Sequence, residues 1–301
     1  MILDTDLAVV IPHHDDVERL ERCLRSLEAP RARNRGVEVV VIDNASTVDL
    51  AEVRASFPWV RFDSHPDPGP GNARNRGVEV TSAGVVAFLD CDCVASPDWL
   101  DEIRAHAHDA DVLGGEVAMF DEGAGPRTGS QAFETVFAFD QRRYVEREGF
   151  TVTANMVTSR RVFDAVGGFE PGLGTVSEDA EWCRRATAIG YSLRYVPSMV
   201  VAHPTRGDWG ALRAKFWRIT TQLFHAEPAT AARRVRWAAR AVLVLGSIGV
   251  DGWTLLRSDR LDDRVERARG VVALARIRAL RAWWMVRQSV DPTFGMSSGR
   301  P

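Results

Sequence analysis

"VVAFLDCDC", residues 85–93, runs from a continuous apolar segment into alternating aspartates and cysteines: Asp90, Cys91, Asp92, Cys93. The apolar half reads as a strand buried on both faces, as strands of parallel sheets are. The other half poses a chemical choice. Thiolates select zinc, whereas carboxylates select a hard cation such as Mg2+ or Mn2+, and with it phosphate. In an extended segment side chains alternate, so only one of the two pairs faces a cleft at the strand's carboxyl end.

The zinc reading needs two further ligands. His106 and His108 offer them in number, but "PDWLDEIRAHAH" (97–108) has helical spacing. Residues two apart on a helix face away from each other, so both rings cannot reach one metal. The cysteines therefore read as small buried fillers. A bare D-x-D at a strand end supplies few protein ligands, so a diphosphate has to help hold the cation.

Outward from this stretch the pattern repeats. "LAVVIP" (7–12), "VEVVVID" (37–43) and "WVRFD" (59–63) read as strands. Between them, 16–27, 49–57 and 71–81 have helical spacing. Strand and helix alternating at these lengths predict a parallel sheet covered by helices on both faces. Further along, strands are predicted over 111–120, 150–158 and 191–203, with helices over 131–148 and 178–189. From about 208 the pattern is helical throughout, and boundaries are expected near 110 and 205–228.

Composition narrows the class. The chain has 301 residues, 45% of them hydrophobic, enough for one large or two smaller cores. Four cysteines without disulfide-scaffold spacing favour a reducing compartment. No signal peptide is read at the N-terminus, and "AVLVLGSIGV" (241–250) is too short to span a bilayer. Net charge is −3 but unevenly placed, with −11 in residues 1–230 and +8 in 231–301.

Five segments, taken in order, resemble the family 2 glycosyltransferases of the GT-A fold. They are "AVVIPHHDDVERLERCLRSL", "VVVIDNAS", "GPGNARNRG", "VVAFLDCDC" and "GGFEPGLGTVSEDAEWCRRATAIGYSLRYVPSMVVAHP", spanning roughly residues 7 to 205. The resemblance implies a metal-dependent, inverting transfer of a sugar from a nucleoside-diphosphate sugar to an acceptor hydroxyl, on a glycan, a lipid-linked or a small-molecule acceptor. With the boundaries above, it implies a nucleotide-sugar-binding half over 1–110 and an acceptor-binding and catalytic half over 111–227; the helical pattern beyond is expected to form an extension over 228–301.

Residue by residue, the resemblance places Pro12, His13, Asp43 and Asn44 at the nucleotide base or ribose. His13-His14-Asp15 stands where Thr-Tyr-Asn is commoner. Arg74 would reach the phosphate or ribose, next to a helix N-terminus that favours anions. Asp92 would ligate Mn2+ or Mg2+. Asp90 would touch the ribose or a metal-bound water, and His203 would add a metal-side nitrogen. Asp179 would be the general base, with Glu178 next in line. Trp182 would line the acceptor site or sit in the core.

Rival readings differ in specific residues. A nucleotidyltransferase or a dehydrogenase would carry a glycine-rich loop after the first strand, where this chain has "PHHDD". A non-catalytic sugar-nucleotide binder would not need Asp179. No nucleic-acid signature is read. The tail mixes apolar residues, tryptophan and arginine at 233–256 and 271–286, a pattern suited to an anionic membrane surface or to a helical hairpin packing on the catalytic domain or on another subunit. The expected setting is the cytoplasm, either free or at the inner face of the cell membrane, in cell-envelope or glycan synthesis.

Overall fold

The computed structural model describes residues 7–171 and 178–295. Ser177, the first residue of the "SEDAEW" motif, and the end of the polar tail lie outside them. By compactness the chain divides into two units, both discontinuous in sequence. The first comprises Met1–Ala118 with Asp140–His203, the second Met119–Phe139 with Pro204–Pro301.

Among the described residues, the first unit is built on one mixed sheet of eight strands. These are β1 (Leu7–His13), β2 (Val37–Asn44), β3 (Arg61–His65), β4 (Val85–Leu89), β5 (Val94–Ala95), β6 (Val112–Phe120), β7 (Asn155–Ser159) and β8 (Leu193–Pro204). Their order is β3-β2-β1-β4-β7-β6-β8-β5. The expected parallel arrangement holds from β3 to β4. Beyond β4 it changes, since β7 runs antiparallel to both β4 and β6, and β5 antiparallel to β8.

Helices α1 (Val17–Arg33), α2 (Ala51–Ser56), α3 (Pro70–Val80) and α4 (Trp99–His106) connect the early strands. Gly77 of α3 lies against β1 so closely that a Cβ there would collide with the Val10 side chain. The helix expected over 131–148 is broken. Helix α5 (Gly129–Phe137) ends first, Asp140 then caps α6 (Gln141–Arg143), and a π-helical turn follows over Tyr144–Glu148. That turn closes on Gly149 at φ +73°.

A core of Val10, Val86, Phe88, Met156, Phe163, Phe169 and Trp182 seats α7 (Arg160–Val166) and α8 (Glu178–Ala188). Trp182 is fully buried and stacks on Phe163 with centroids 5.7 Å apart. Its Nε1 donates to Gly167 O at 2.7 Å, so Trp182 is a core residue rather than a lining of the acceptor site. Asn155 pins the sheet from inside. It accepts from Trp99 Nε1 and donates to Glu116 O and Met199 O.

The second unit is helical: α5, α9 (Trp209–Ala226), α10 (Ala231–Arg257) and α11 (Arg264–Val290). Helix α5 opens on a capping box between Thr128 and Gln131. Phe133, Leu212, Leu255, Leu274 and Ile277 form the main core. Glu134 is fully buried there, accepting from Lys215 Nζ at 2.7 Å, Arg206 Nη1 at 2.9 Å and Arg206 N at 2.7 Å. By length and composition α10 could cross a bilayer, which corrects the expectation drawn from residues 241–250 alone. Only 17% of its most apolar stretch is buried.

Candidate active site

The carboxyl ends of β1, β2 and β4 lie side by side, because β1 pairs in parallel with both neighbours. The chain passes from β1 to β2 on one side, while β4 lies on the other. This reversal makes the switch point where open α/β sheets bind ligands.

After β4 the chain does not stay extended. Cys93 N donates to Asp90 O at 3.0 Å and closes a turn over 90–93. Alternation of sides, a property of extended backbone, therefore does not apply here, and the two aspartates meet different partners. Asp90 Oδ1 accepts from Arg74 Nη2 at 2.6 Å, while Asp92 Oδ2 lies 3.3 Å from His203 Nε2. Their side chains are 31% and 26% exposed, enough for a ligand to reach. Burial pushes the Cys91 and Cys93 thiols well above their ordinary pKa, with Asp92 adding to it. Both remain protonated thiols at neutral pH in the metal-free protein.

Arg74 sits on α3, whose first residue is Pro70, a favoured opening position. Its side chain is 5% exposed, and both Nη atoms are committed. Nη1 donates to the Glu178 carboxylate and Nη2 to Asp90. Arg74 is a strut joining the end of β4 to the start of α8. Gly71 makes room for it, since a Cβ at 71 would lie 2.8 Å from Glu178 Oε2.

The charges do not balance. Asp90, Glu178 and Asp179 share this one arginine. Burial raises the Glu178 and Asp179 carboxyls above their ordinary pKa, and Arg74 offsets this only in part. Arg74 is itself held above its ordinary value: burial opposes this, but Asp90 and Glu178 outweigh it. Asp179 accepts from its neighbour Ala180 N at 2.7 Å. Among the described residues, no three His, Cys, Asp or Glu side chains form a group able to hold a metal.

At the ends of β1 and β2 most of the expected base-binding residues turn inward. Pro12 is a buried residue of β1. His13 is buried, with Nε2 accepting from Asp16 N at 3.2 Å. That leaves Nδ1 to carry the proton, 3.4 Å from Asp43 Oδ1. Asn44 spends its amide on the following loop, donating to His65 O and Asp67 O and accepting from Gly69 N at 2.7 Å. Asp43 keeps an exposed edge.

Asp15 ties the loop after β1 to the loop after β2. Its carboxylate accepts from Thr47 N at 2.6 Å and Val48 N at 3.2 Å, and its own N donates to Ser46 Oγ. Asp15 and Ala45 adopt φ of +52° and +58°, conformations that non-glycine residues seldom adopt. These strained positions lie at the ends of adjacent strands, beside the switch point. The only hint in the sequence is the departure "HHDD" itself.

A mixed sheet that gathers carboxylates at its switch point and adds a histidine from a late strand is the architecture of the GT-A glycosyltransferases. Residues 8–167 match glycosyl transferase family 2, and the chain belongs to that family. It is 27% identical over 221 residues to the glycosyltransferase AglE of Haloferax volcanii, covering 71% of each chain. It is 29% identical over 257 residues to the pre-mycofactocin glycosyltransferase of Mycobacterium tuberculosis, covering 81% of this chain and 53% of that relative. The mannosyltransferase PcManGT of Pyrobaculum calidifontis, solved with GDP-Man and Mn2+, shares the fold. Its TM-score is 0.54 at 16% identity, over 98% of this chain and 76% of that one. The protein is a glycosyltransferase.

Proposed function

We propose that the enzyme transfers a sugar from a nucleoside-diphosphate sugar to an acceptor hydroxyl with inversion, using Mn2+ or Mg2+. The observation that carries the reading is the excess of carboxylates around Arg74, with Asp92 and His203 in contact beside them. An excess of buried negative charge calls for a cation. Two protein donors of oxygen and nitrogen, with open positions left for phosphate oxygens, fit a divalent ion better than a closed structural site would. Asp92 and His203 would hold it. When bound, it would neutralise the charge that develops on the leaving diphosphate. The Mn2+ and GDP-Man bound by the mannosyltransferase of like fold support the same choice.

The remaining roles follow from contacts within the chain. Asp43 would face the base or ribose, held by the His13 ring. Asn44 and Asp15 would fix the two loops around it rather than touch the nucleotide. Arg74 would hold Asp90 and Glu178 in place. Asp179, raised by burial and not paired directly with Arg74, suits a general base. Such a residue takes the proton of the attacking hydroxyl while the sugar–phosphate bond breaks on the opposite face. Four free cysteines support action in the reducing cytoplasm.

The test is nucleoside-diphosphate binding and release measured with and without Mn2+. Chelation should abolish turnover, and Asp92→Ala should lose the metal-dependent part of nucleotide affinity. Full turnover by Asp92→Ala in chelator would overturn the metal assignment.

A further inference from the structure

We propose that the exposed face of α10 is a docking surface for an anionic lipid bilayer, with the helix lying in the plane of the headgroups. Val235, Val242, Leu243, Leu245, Val250, Trp253 and Leu256 are all exposed, Val242 by 69% and Leu243 by 72%. At 3.6 residues per turn they fall within roughly 80° either side of the line from Val235 to Trp253. The opposite side of α10 carries the residues that pack inward, Trp237, Ala241 and Leu255. An apolar stripe this long, about 32 Å from Val235 to Leu256 on a helix of 27 residues, is not left to water without a use.

Charge identifies the occupant. Arg234 and Arg236 flank the stripe near its start. Arg257 lies near its end, its guanidinium 4.2 Å from the Trp253 ring centre. Residues 231–301 hold fourteen arginines against six acidic residues. Arginine and tryptophan bordering an apolar face match the headgroup level of an anionic leaflet. A second copy of this chain would bring the same arginines against themselves.

The packing of α10 argues against a span, although its length permits one. Asp251 pairs with Arg278 of α11 at 2.8 Å, and Trp237 Nε1 donates to Gln288 of α11 at 2.9 Å. A spanning α10 would draw α11 with it, including Arg267, Arg276, Arg278 and Arg281. Placing such residues in hydrocarbon is costly. Lying flat avoids this and still buries the stripe.

The experiment is flotation of the full-length protein with vesicles of neutral phosphatidylcholine or of phosphatidylcholine mixed with phosphatidylserine. Sizing and alkaline carbonate extraction accompany it. The expected result is binding to the anionic vesicles only, released by 1 M salt, where screening shortens to about 3 Å. Val242→Glu with Leu243→Glu should reduce binding by tenfold or more. Both positions are exposed, and an unchanged circular dichroism spectrum will confirm folding. Arg236→Gln with Arg257→Gln, which leaves the stripe intact, should weaken binding about fivefold per arginine. Four results would each overturn the proposal: no flotation; equal flotation on neutral vesicles; resistance to carbonate, which would mean a span; or a stable dimer dissolved by the glutamate pair, which would mean a second copy. Nucleotide binding measured on the same variants is expected to be unchanged, so failure here leaves the catalytic reading intact.

Discussion

The two units bury charge in opposite ways. In the second, the Glu134 carboxylate is surrounded by Lys215, Arg206 and a backbone amide, and these bring its pKa below the ordinary value despite burial. In the first, Arg74 faces more carboxylates than it can neutralise, and Glu178 and Asp179 are raised. Burial is the leading influence on all three acids. The sign of the outcome is decided by the supply of cations. A buried acid with surplus cations is finished as it stands and serves stability. Buried acids short of cations form a site that a positively charged ligand completes.

The largest effect expected from this contrast is on transfer. Asp179→Asn should lower the rate by about 10²–10⁴-fold, because an amide cannot accept the proton, while donor affinity stays near wild type. Stability at neutral pH should not fall. A variant with full transfer would break the assignment, and Glu178→Gln as the inactive one would move it by one residue. Next comes Glu134→Gln, which strands Lys215 and Arg206 without their anion. A loss of about 3–5 kcal/mol in denaturant unfolding is expected. Loss of transfer at unchanged stability would instead make Glu134 part of the chemistry.

A smaller effect is expected on adding Mn2+ with a nucleoside diphosphate. At a hundred times the dissociation constant, a ligand bound only by the folded state adds about 2.7 kcal/mol. The melting temperature should rise in wild type and in Glu134→Gln, and much less in Asp92→Ala. Equal rises in all three would show that the acid-rich site is not where the cation binds.

The smallest effect is one of sign. A carboxyl with a raised folded pKa costs stability above that pKa and nothing below its unfolded value, near 3.9 for aspartate. Asp179→Asn should therefore be as stable as wild type or more so at pH 7.5 without metal, and the difference should vanish near pH 4. Melts at the two values decide it. A larger difference at the acid end would contradict the raised pKa.

Local patterns in the sequence revealed much of this. The apolar runs of β1, β2 and β4 and the helical spacing between them give the parallel half of the sheet. The order of motifs gives the family, and D-x-D with His203 names residues that do meet. What was not legible depends on distant pairing. Nothing within 150–158 says that β7 will run antiparallel to β4, since that register is set by a strand some seventy residues earlier. The turn over 90–93 defeats an alternation rule that holds only while the backbone stays extended. Nothing around Arg74 in the sequence shows that Glu178, over a hundred residues on, holds one arm of it. Boundaries sought along the chain also could not anticipate that 119–139 belongs with the last hundred residues.

That last arrangement has a consequence in time. Phe133 and Ala132 of α5 find their burial partners in Leu212, Leu255, Leu274 and Ile277. At roughly 5–20 residues per second, a ribosome needs about 4–16 s to reach the first of these and about 7–29 s to reach the last. For that interval "QAFETVFAF" waits with its apolar face uncovered. An apolar helix left waiting is a target for chaperones and a point of vulnerability to aggregation. Polar substitutions at Phe133 should therefore reduce the yield of folded enzyme during synthesis, on top of any loss in the stability of the finished protein.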